Sequence, residues 1–203
     1  MEFSVLSFFY LFIVLAPFII ICSITLISLF NADFKGLCFL AGLSITMTIA
    51  YALGVLGKSL FQIPIDRDAA CNATIMSFGG SDSYLPMGQV IISYTFWYFI
   101  YCIIVNGFVI GNIGMIIFFS ILTLSDMAWN KYNNCFPLQS ILVALIVGAG
   151  LGLAAGAAID AISDRKYLYF FNGITGKSSA IDSCSAPSKQ KFKCNVTQGG
   201  IIP

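Results

Sequence analysis

Cysteines are the most reactive side chains available to this chain, because its 203 residues include no histidine. The lack of imidazole excludes histidine as a general base, a nucleophile or a metal ligand. The seven cysteines are Cys22, Cys38, Cys71, Cys102, Cys135, Cys184 and Cys194. No two of them are spaced as C-x-x-C, so neither a zinc site nor a thioredoxin-type redox site is indicated. We therefore expect neither a metal nor a cofactor.

The composition indicates which environment these cysteines occupy. Hydrophobic residues make up 59% of the chain and charged residues 9%, against about 25% charged in a typical soluble domain. The mean hydropathy of +0.92 agrees with this. A net charge of +1 excludes strong electrostatic attraction to nucleic acid. These values predict an integral, multi-pass membrane protein whose first partner is membrane lipid.

A long apolar segment from Tyr84 to Ser125 organises the predicted fold. It has no charged residue and is long enough for two crossings of about 20 residues each. Asn106-Gly107 lies in its middle and is a typical turn dipeptide. We therefore expect two helices, at about 84–105 and 108–124, joined as a tight hairpin.

Three further apolar segments complete the set of predicted spans. They cover residues 3–30, 37–57 and about 137–159. Pro17 should kink the first span, whereas Pro137 stands at the start of the last, where proline is tolerated. We predict an all-α bundle of about five transmembrane helices over residues 1–162, followed by a polar, basic C-terminal tail over 163–203. Polar loops are expected at 58–83 and 125–135.

Five spans place the two termini on opposite sides of the membrane. The side with the tail would carry seven of the ten basic residues, and the other side three. When only the basic residues near the spans are counted, the tail side has four and the other side three. The positive-inside rule then favours a cytosolic tail, in an endomembrane or a virion membrane.

This orientation predicts glycosylation and disulfide formation on the side of the membrane away from the tail. The sequon at Asn72 could be glycosylated, whereas the sequon at Asn195 could not. Cys71 and Cys135 could form a disulfide there and tie the two polar loops together. Cys184 and Cys194 in the tail could pair only if the tail were in an oxidising compartment, which conflicts with this orientation.

The fifth span contains a stripe of small residues at Gly148, Gly152 and Gly156, with Ala144 one step earlier. Residues four apart lie on one face of a helix, so the stripe allows another backbone to approach closely. It could contact a second protein chain or pack within this bundle, and we favour packing within the bundle.

Three polar motifs flank the central hairpin in a recognisable order. They are Lys58 with Pro64 and Arg67, then Pro86-Met87-Gly88-Gln89, then Ser125-Asp126 with Cys135-Phe136-Pro137-Leu138-Gln139. Their order and placement resemble the three motifs of the type-2 phosphatidic acid phosphatases, membrane enzymes built on a helical bundle. The similarity extends over roughly residues 37–160. It implies a phosphatase-like core of membrane helices.

Departures from the family pattern fall on its catalytic positions. Gln89 stands where the second motif has histidine, and Asp126 where the third has arginine. The nucleophilic histidine corresponds to Cys135, or to Tyr132 under strict spacing. Because an amide has no titratable proton, the resemblance implies that catalytic activity has been lost.

The resemblance therefore implies a non-enzymatic protein with a structural or assembly role. Large DNA viruses with internal membranes encode small, diverged proteins of this kind, so a virion membrane or capsid is one expected setting. Other membrane or capsid proteins would then contact the loops and the tail. The alternative is a lipid- or phosphate-headgroup-binding protein that uses a residual anion cradle of Lys58, Arg67, Gly88 and Lys131.

Surface ion pairing is a simpler interpretation of the cations in this cradle, and we favour it. Their expected partners are Asp66, Asp68 and Asp126. We also expect Asp160 to be a solvated helix end. The aromatic residues are expected to face lipid or the interface; they are Phe96, Trp97, Tyr98, Tyr101 and the cluster at 167–171.

Overall fold

The computed structural model describes residues 5–30, 34–60, 71, 84–163 and 167–169, and within these residues the chain is all-α. Its five helices are α1 (Val5–Phe30), α2 (Phe34–Leu60), α3 (Met87–Asn106), α4 (Ile113–Tyr132) and α5 (Leu138–Ser163), and a 3-10 turn at Ile110–Asn112 precedes α4. Each of the five is long and apolar enough to cross a membrane. The prediction of an all-α bundle with five membrane-length helices is confirmed.

The hairpin between α3 and α4 turns at the predicted dipeptide. Gly107 has a φ of 73°, a left-handed conformation that glycine adopts without a Cβ penalty. Its N–H donates to the Ile104 carbonyl (3.1 Å), and the Phe108 N–H donates to the Ile103 carbonyl (3.0 Å). Asn106 turns its amide back to the Cys102 carbonyl at 2.8 Å. These bonds satisfy carbonyls that the end of a helix would otherwise leave unpaired.

The second predicted polar loop is wrong over most of its length. Residues 125–132 continue α4 instead of leaving it, so the connection to α5 shortens to 133–137. The polar side chains here bond within the helix: Asn130 and Asn133 donate to the carbonyls four residues earlier. The polar residues that begin at Ser125 indicate the membrane surface, but the backbone remains helical to Tyr132. Asn134, with a φ of 50°, then reverses the chain.

Helix α3 is the centre of the bundle. Of its membrane-length segment, 61% is buried, against 22–28% for the other four. It contacts all four of the other helices, and its most extensive contact is with α5. Residues on α3 therefore mainly contact protein, whereas most residues of the other helices remain on the outside of the bundle.

An aromatic cluster around Phe39 of α2 joins α2 to α3. The Phe39 ring lies 5.3 Å from Tyr94, 5.1 Å from Tyr98 and 5.9 Å from Phe99, measured between ring centroids. Tyr169, which follows α5, completes the cluster at 6.4 Å from Phe39. The Tyr94 hydroxyl donates to the Phe39 carbonyl at 3.2 Å. The cluster therefore combines aromatic edge and face contacts with a polar anchor.

For Tyr98, Tyr169 and Phe96, the structure corrects the expectation that the aromatic residues face lipid or the interface. Tyr98 and Leu168 are fully buried, and Tyr169 packs against the cluster. Phe96 is half-buried and stacks on Phe119 of α4. The reason is that α3 is enclosed by protein, so its aromatic side chains fill the interior. Residues 170–171 lie outside the described residues.

The compact unit that contains the helices extends past the predicted domain boundary. It runs from Met1 to Phe171, and residues 172–203 lie outside the described residues. The predicted boundary at 162–163 falls inside this unit, because Leu168 and Tyr169 pack in its core. Cys184, Cys194 and the sequon at Asn195 also lie outside the described residues.

Candidate functional site

The glycine stripe of α5 lies directly against the backbone of α3 in the same chain. A Cβ placed on Gly148 would come within 2.7 Å of the Val90 carbonyl oxygen, and one on Gly152 within 2.5 Å of the Tyr94 carbonyl oxygen. Real Cβ atoms do not approach other atoms this closely, so these positions require glycine. The face that we considered for contact with a second chain is occupied within the bundle.

At the C-terminal end of the stripe, Gly156 packs against the ring of Tyr101 on α3. A Cβ on Gly156 would lie 2.7 Å from Cδ1 of Tyr101. The Tyr101 hydroxyl then donates to Oδ2 of Asp160 at 3.0 Å. Asp160 is half-buried and links α5 to α3 through this hydrogen bond. This corrects the expectation that Asp160 is a solvated helix end. Near the other end of the pair, Ser93 donates to the Leu145 carbonyl at 2.7 Å.

Cys71 and Cys135 form a disulfide, with their Cα atoms 5.4 Å apart. The pairing links the segment after α2 to the connection between α4 and α5. Cys135 is also buried, with 3% of its surface exposed. Because its sulfur is bonded to Cys71, Cys135 carries no thiolate, which is the form of cysteine that acts as a nucleophile.

Of the predicted anion cradle, the structure describes only Gly88 and the side chain of Lys131. Gly88 is the second residue of α3 and half-buried, and a Cβ on it would lie 3.5 Å from Cγ of Pro17. Lys131 is exposed on the last turn of α4. Lys58 lies near the end of α2, but its side chain is outside the described part of the chain. Arg67 and the sequon at Asn72 are outside it as well.

The first turn of α3 enters the interior of the bundle. Pro86 precedes the helix and no side chain caps it. Gln89 is fully buried, and neither Nε2 nor Oε1 has a hydrogen-bond partner among the described residues. Tyr84 leads into this turn, donating its N–H to the Gly54 carbonyl at 3.2 Å. Burial raises the pKa of the Tyr84 phenol above its ordinary value.

Asp126 is buried in α4, which corrects the expectation of a surface ion pair. Only 8% of its surface is exposed. Nδ2 of Asn130 donates to Oδ2 of Asp126 at 3.2 Å and to the Asp126 carbonyl at 2.9 Å. Sequence reasoning missed this burial because it placed Asp126 in a loop. The available signal was spacing: Asp126 follows Phe119 by two helical turns, and both belong to the buried face of α4.

A cleft of about 220 Å³ lies between α1, α3 and α4. Its lining is Phe12, Ala16, Ile19, Ile20, Ser23, Ile24, Phe99, Phe118, Phe119 and Leu122. These side chains are apolar apart from Ser23. The cleft offers no group for acid–base or nucleophilic chemistry beyond that hydroxyl, whose reaction would need a base.

The described residues contain no group of three or more His, Cys, Asp and Glu side chains that could hold a metal ion. Comparisons with protein-family models, with curated proteins and with solved structures find no match for this chain. The resemblance to the type-2 phosphatidic acid phosphatases therefore stays a prediction, carried by the motif residues alone.

Proposed function

We propose that this chain is a non-enzymatic integral membrane protein with a structural or assembly role, on a scaffold similar to the type-2 phosphatidic acid phosphatases. One observation carries the proposal. One position at which the resemblance calls for a catalytic histidine holds a fully buried amide, Gln89. The other holds the disulfide sulfur of Cys135 or, under strict spacing, the phenol of Tyr132 at the exposed end of α4. A virion membrane or capsid is the setting that the resemblance suggests.

The chemical argument follows from the needs of phosphoryl transfer through a covalent enzyme. That reaction needs an activated nucleophile and an acid for the leaving group. A disulfide sulfur is not a nucleophile, and the Gln89 amide cannot supply a proton. Where the third motif of the family has an arginine, this chain has Asp126, whose side chain is buried. A carboxylate there would repel a phosphate dianion instead of attracting it.

The packing of the bundle supports a structural role. Helices α3 and α5 touch backbone to backbone along the glycine stripe, and two side-chain hydrogen bonds hold them at separate levels. Such a pair forms a rigid centre on which loops and tail can be presented to other membrane or capsid proteins. Membrane lipid would surround the exposed apolar faces of the other helices.

Binding of a lipid or phosphate headgroup is the weaker candidate. It requires Lys58, Arg67 and Lys131 to converge on the N–H groups of Gly88. The half-burial of Gly88 against Pro17 and the buried carboxylate of Asp126 disfavour an anion there. We expect the Lys58→Ala, Arg67→Ala double variant to retain its co-purifying anionic lipid, as measured by mass spectrometry. Specific loss of that lipid would favour the headgroup-binding function.

An activity assay tests the lack of catalysis. The purified full chain is incubated in mixed micelles with phosphatidate, diacylglycerol pyrophosphate or an aryl phosphate, with and without reductant. We expect phosphate release at the level of the detergent blank in both conditions. Release that appears with reductant and disappears in Cys135→Ser would overturn the proposal and identify a cysteine-dependent phosphatase.

Cross-linking in native membranes tests the structural role. The full chain is cross-linked in the membrane or particle from which it is isolated, and its neighbours are identified by mass spectrometry. We expect stoichiometric protein neighbours on the loops and the tail. A chain that is cross-linked to no protein above a level set by an unrelated membrane protein of equal abundance would contradict the proposal.

A further inference from the structure

The buried carboxylate of Asp126 has no charged partner among the hydrogen bonds described for it. Both of those bonds involve Nδ2 of Asn130, a neutral donor. Asp126 lies within a membrane-length helix and is 8% exposed. Ionisable groups in such segments are costly and normally pair with an opposite charge. A negative charge on Asp126 would therefore be uncompensated by the contacts described.

Gln89 supplies a second, independent observation at the same level of the bundle. Its amide is fully buried, and both of its polar atoms lack partners among the described residues. Buried polar groups are nearly always hydrogen-bonded, so an exception calls for an explanation, and a bound ion is one of those available. The first turn of α3, to which Gln89 belongs, also has no side-chain cap.

The register of α3 against α4 brings Gln89 and Asp126 to one interface. The rings of Phe96 and Phe119 stack across it at 6.2 Å. Gln89 lies two helical turns before Phe96, and Asp126 lies two turns after Phe119. Because the helices are antiparallel neighbours in a hairpin, both steps lead in the same direction. Asn130 is one turn further along α4.

Helix α1 brings a backbone oxygen to this level. Pro17 lies against Gly88, the residue before Gln89. Proline has no N–H, so the carbonyl of Ile13 loses its donor in the helical ladder. Carbonyls at interrupted helices are recurrent cation ligands in membrane proteins.

We propose that Gln89, Asp126 and Asn130 form a site between α3 and α4 for one monovalent inorganic cation, with sodium as the preferred ion. Carboxylate and amide oxygens are hard ligands that suit such an ion. One carboxylate matches one positive charge, and the complete burial of Gln89 limits the occupant to a single small ion. The Ile13 carbonyl, which Pro17 leaves without its helical donor, would supply a backbone ligand. The site selects against phosphate, so it is distinct from the predicted anion cradle.

Thermal unfolding of the full chain in detergent micelles tests the site. N-methylglucamine chloride is replaced stepwise by NaCl at constant chloride and ionic strength, with KCl in a parallel series. We expect a saturable rise in Tm with sodium, because a ligand that binds only the folded state stabilises it. Potassium should require a higher concentration. A Tm that does not depend on the cation would overturn the proposal, and equal responses to both ions would overturn the preference for sodium.

Two variants and a control assign the effect to the site. Asp126→Asn should abolish the sodium-dependent shift, and Gln89→Met should weaken the apparent affinity roughly tenfold through loss of one ligand to a charged group. Asp160→Asn is the matched control, because this carboxylate bonds to Tyr101 on α3 from α5. It should keep the shift. A shift that survives in Asp126→Asn, or that is lost equally in Asp160→Asn, would overturn the assignment.

Direct binding keeps the test decisive if Asp126→Asn does not fold. Equilibrium dialysis of the wild-type chain with radioactive sodium should give about one saturable ion per chain. The absence of saturable binding would overturn the proposal. Neither result depends on the assay for phosphate release, so failure of this proposal is distinguishable from failure of the proposed function.

Discussion

Two residues, Cys135 and Gln89, limit the reactions that are possible at the end of the bundle where α3 begins. Cys135 is bonded to Cys71, and Gln89 is sealed inside without a hydrogen-bond partner among the described residues. One is a covalent constraint on the fold, and the other is a polar group in an apolar setting. Their effects on stability should have opposite signs, because a cross-link restricts the unfolded chain and an unpaired amide loses its bonds to water.

The disulfide can be tested by a double-variant cycle. Cys135→Ser and Cys71→Ser should each lower the free energy of unfolding by about 2–4 kcal/mol, because each frees a chain segment of 64 residues. The double variant should be no less stable than either single one, since the same bond is lost in all three. Denaturant unfolding without reductant measures the effect. Additive losses in the double variant would contradict the pairing.

The buried amide should be replaceable with a gain in stability when sodium is absent. Gln89→Met in N-methylglucamine buffer should raise the free energy of unfolding by roughly 1–2 kcal/mol, because an apolar chain of similar length removes two unpaired polar atoms. Gln139→Met is the control, since Gln139 is exposed on the first turn of α5 and should change little. Destabilisation by Gln89→Met beyond that control would mean that the amide has a partner.

The pairing of α3 with α5 explains how an almost uniformly apolar set of helices adopts one arrangement. Apolar side chains do not distinguish a helix neighbour from lipid, so packing geometry must provide the specificity. Here the close approach of backbones at Gly148 and Gly152 fixes the distance, and Ser93 and Tyr101 fix the register through hydrogen bonds to α5. The other helices pack around this pair.

Two glycines of α5 provide a matched test of that pairing. Gly152→Leu should lower the free energy of unfolding by about 3 kcal/mol or more, because its side chain would enter the Tyr94 backbone. Gly150→Leu makes the same change two residues away, where nothing lies within 4 Å, and should cost less than about 1 kcal/mol. Thermal unfolding in micelles measures both. Equal effects would show that close packing is not the cause.

At the scale of the whole molecule, the five membrane-length helices and the disulfide of the described residues constrain the topology. The disulfide joins Cys71, after α2, to Cys135, between α4 and α5. These positions share a side of the membrane whenever all five helices cross it. Disulfides persist in oxidising compartments, so the bond supports the orientation that the distribution of basic residues predicts. The tail would then be cytosolic, which stays a prediction.

Glycosylation mapping in microsomes tests the topology. Asn72 should carry a glycan and Asn195 should not, because an odd number of spans separates the two sequons. Single Asn72→Gln and Asn195→Gln variants assign any shift on a gel. Modification of both sites would require an even number of spans between them. Modification of Asn195 alone would invert the orientation.

The number of membrane helices and the hairpin turn were readable from the sequence. A chain in lipid must satisfy its own backbone hydrogen bonds, so each apolar run of about 20 residues becomes a helix almost regardless of its neighbours. The turn at Asn106-Gly107 follows from local backbone freedom. The pairing of Cys71 with Cys135 was foreseen as well, since both fall in predicted loops on one side. Such features depend on short stretches and on the bilayer as solvent.

Tertiary structure alone decided which helix is central and what its side chains contact. Tyr98 and Trp97 are neighbours in the same apolar run, yet Tyr98 is fully buried and Trp97 is only half-buried. The burial of Asp126 required α4 to continue past the point where polar residues begin. In water, polarity separates the surface from the core, but in a membrane both lipid and protein interior favour apolar side chains. Composition therefore located the helices, and only their packing assigned each face to lipid or to protein.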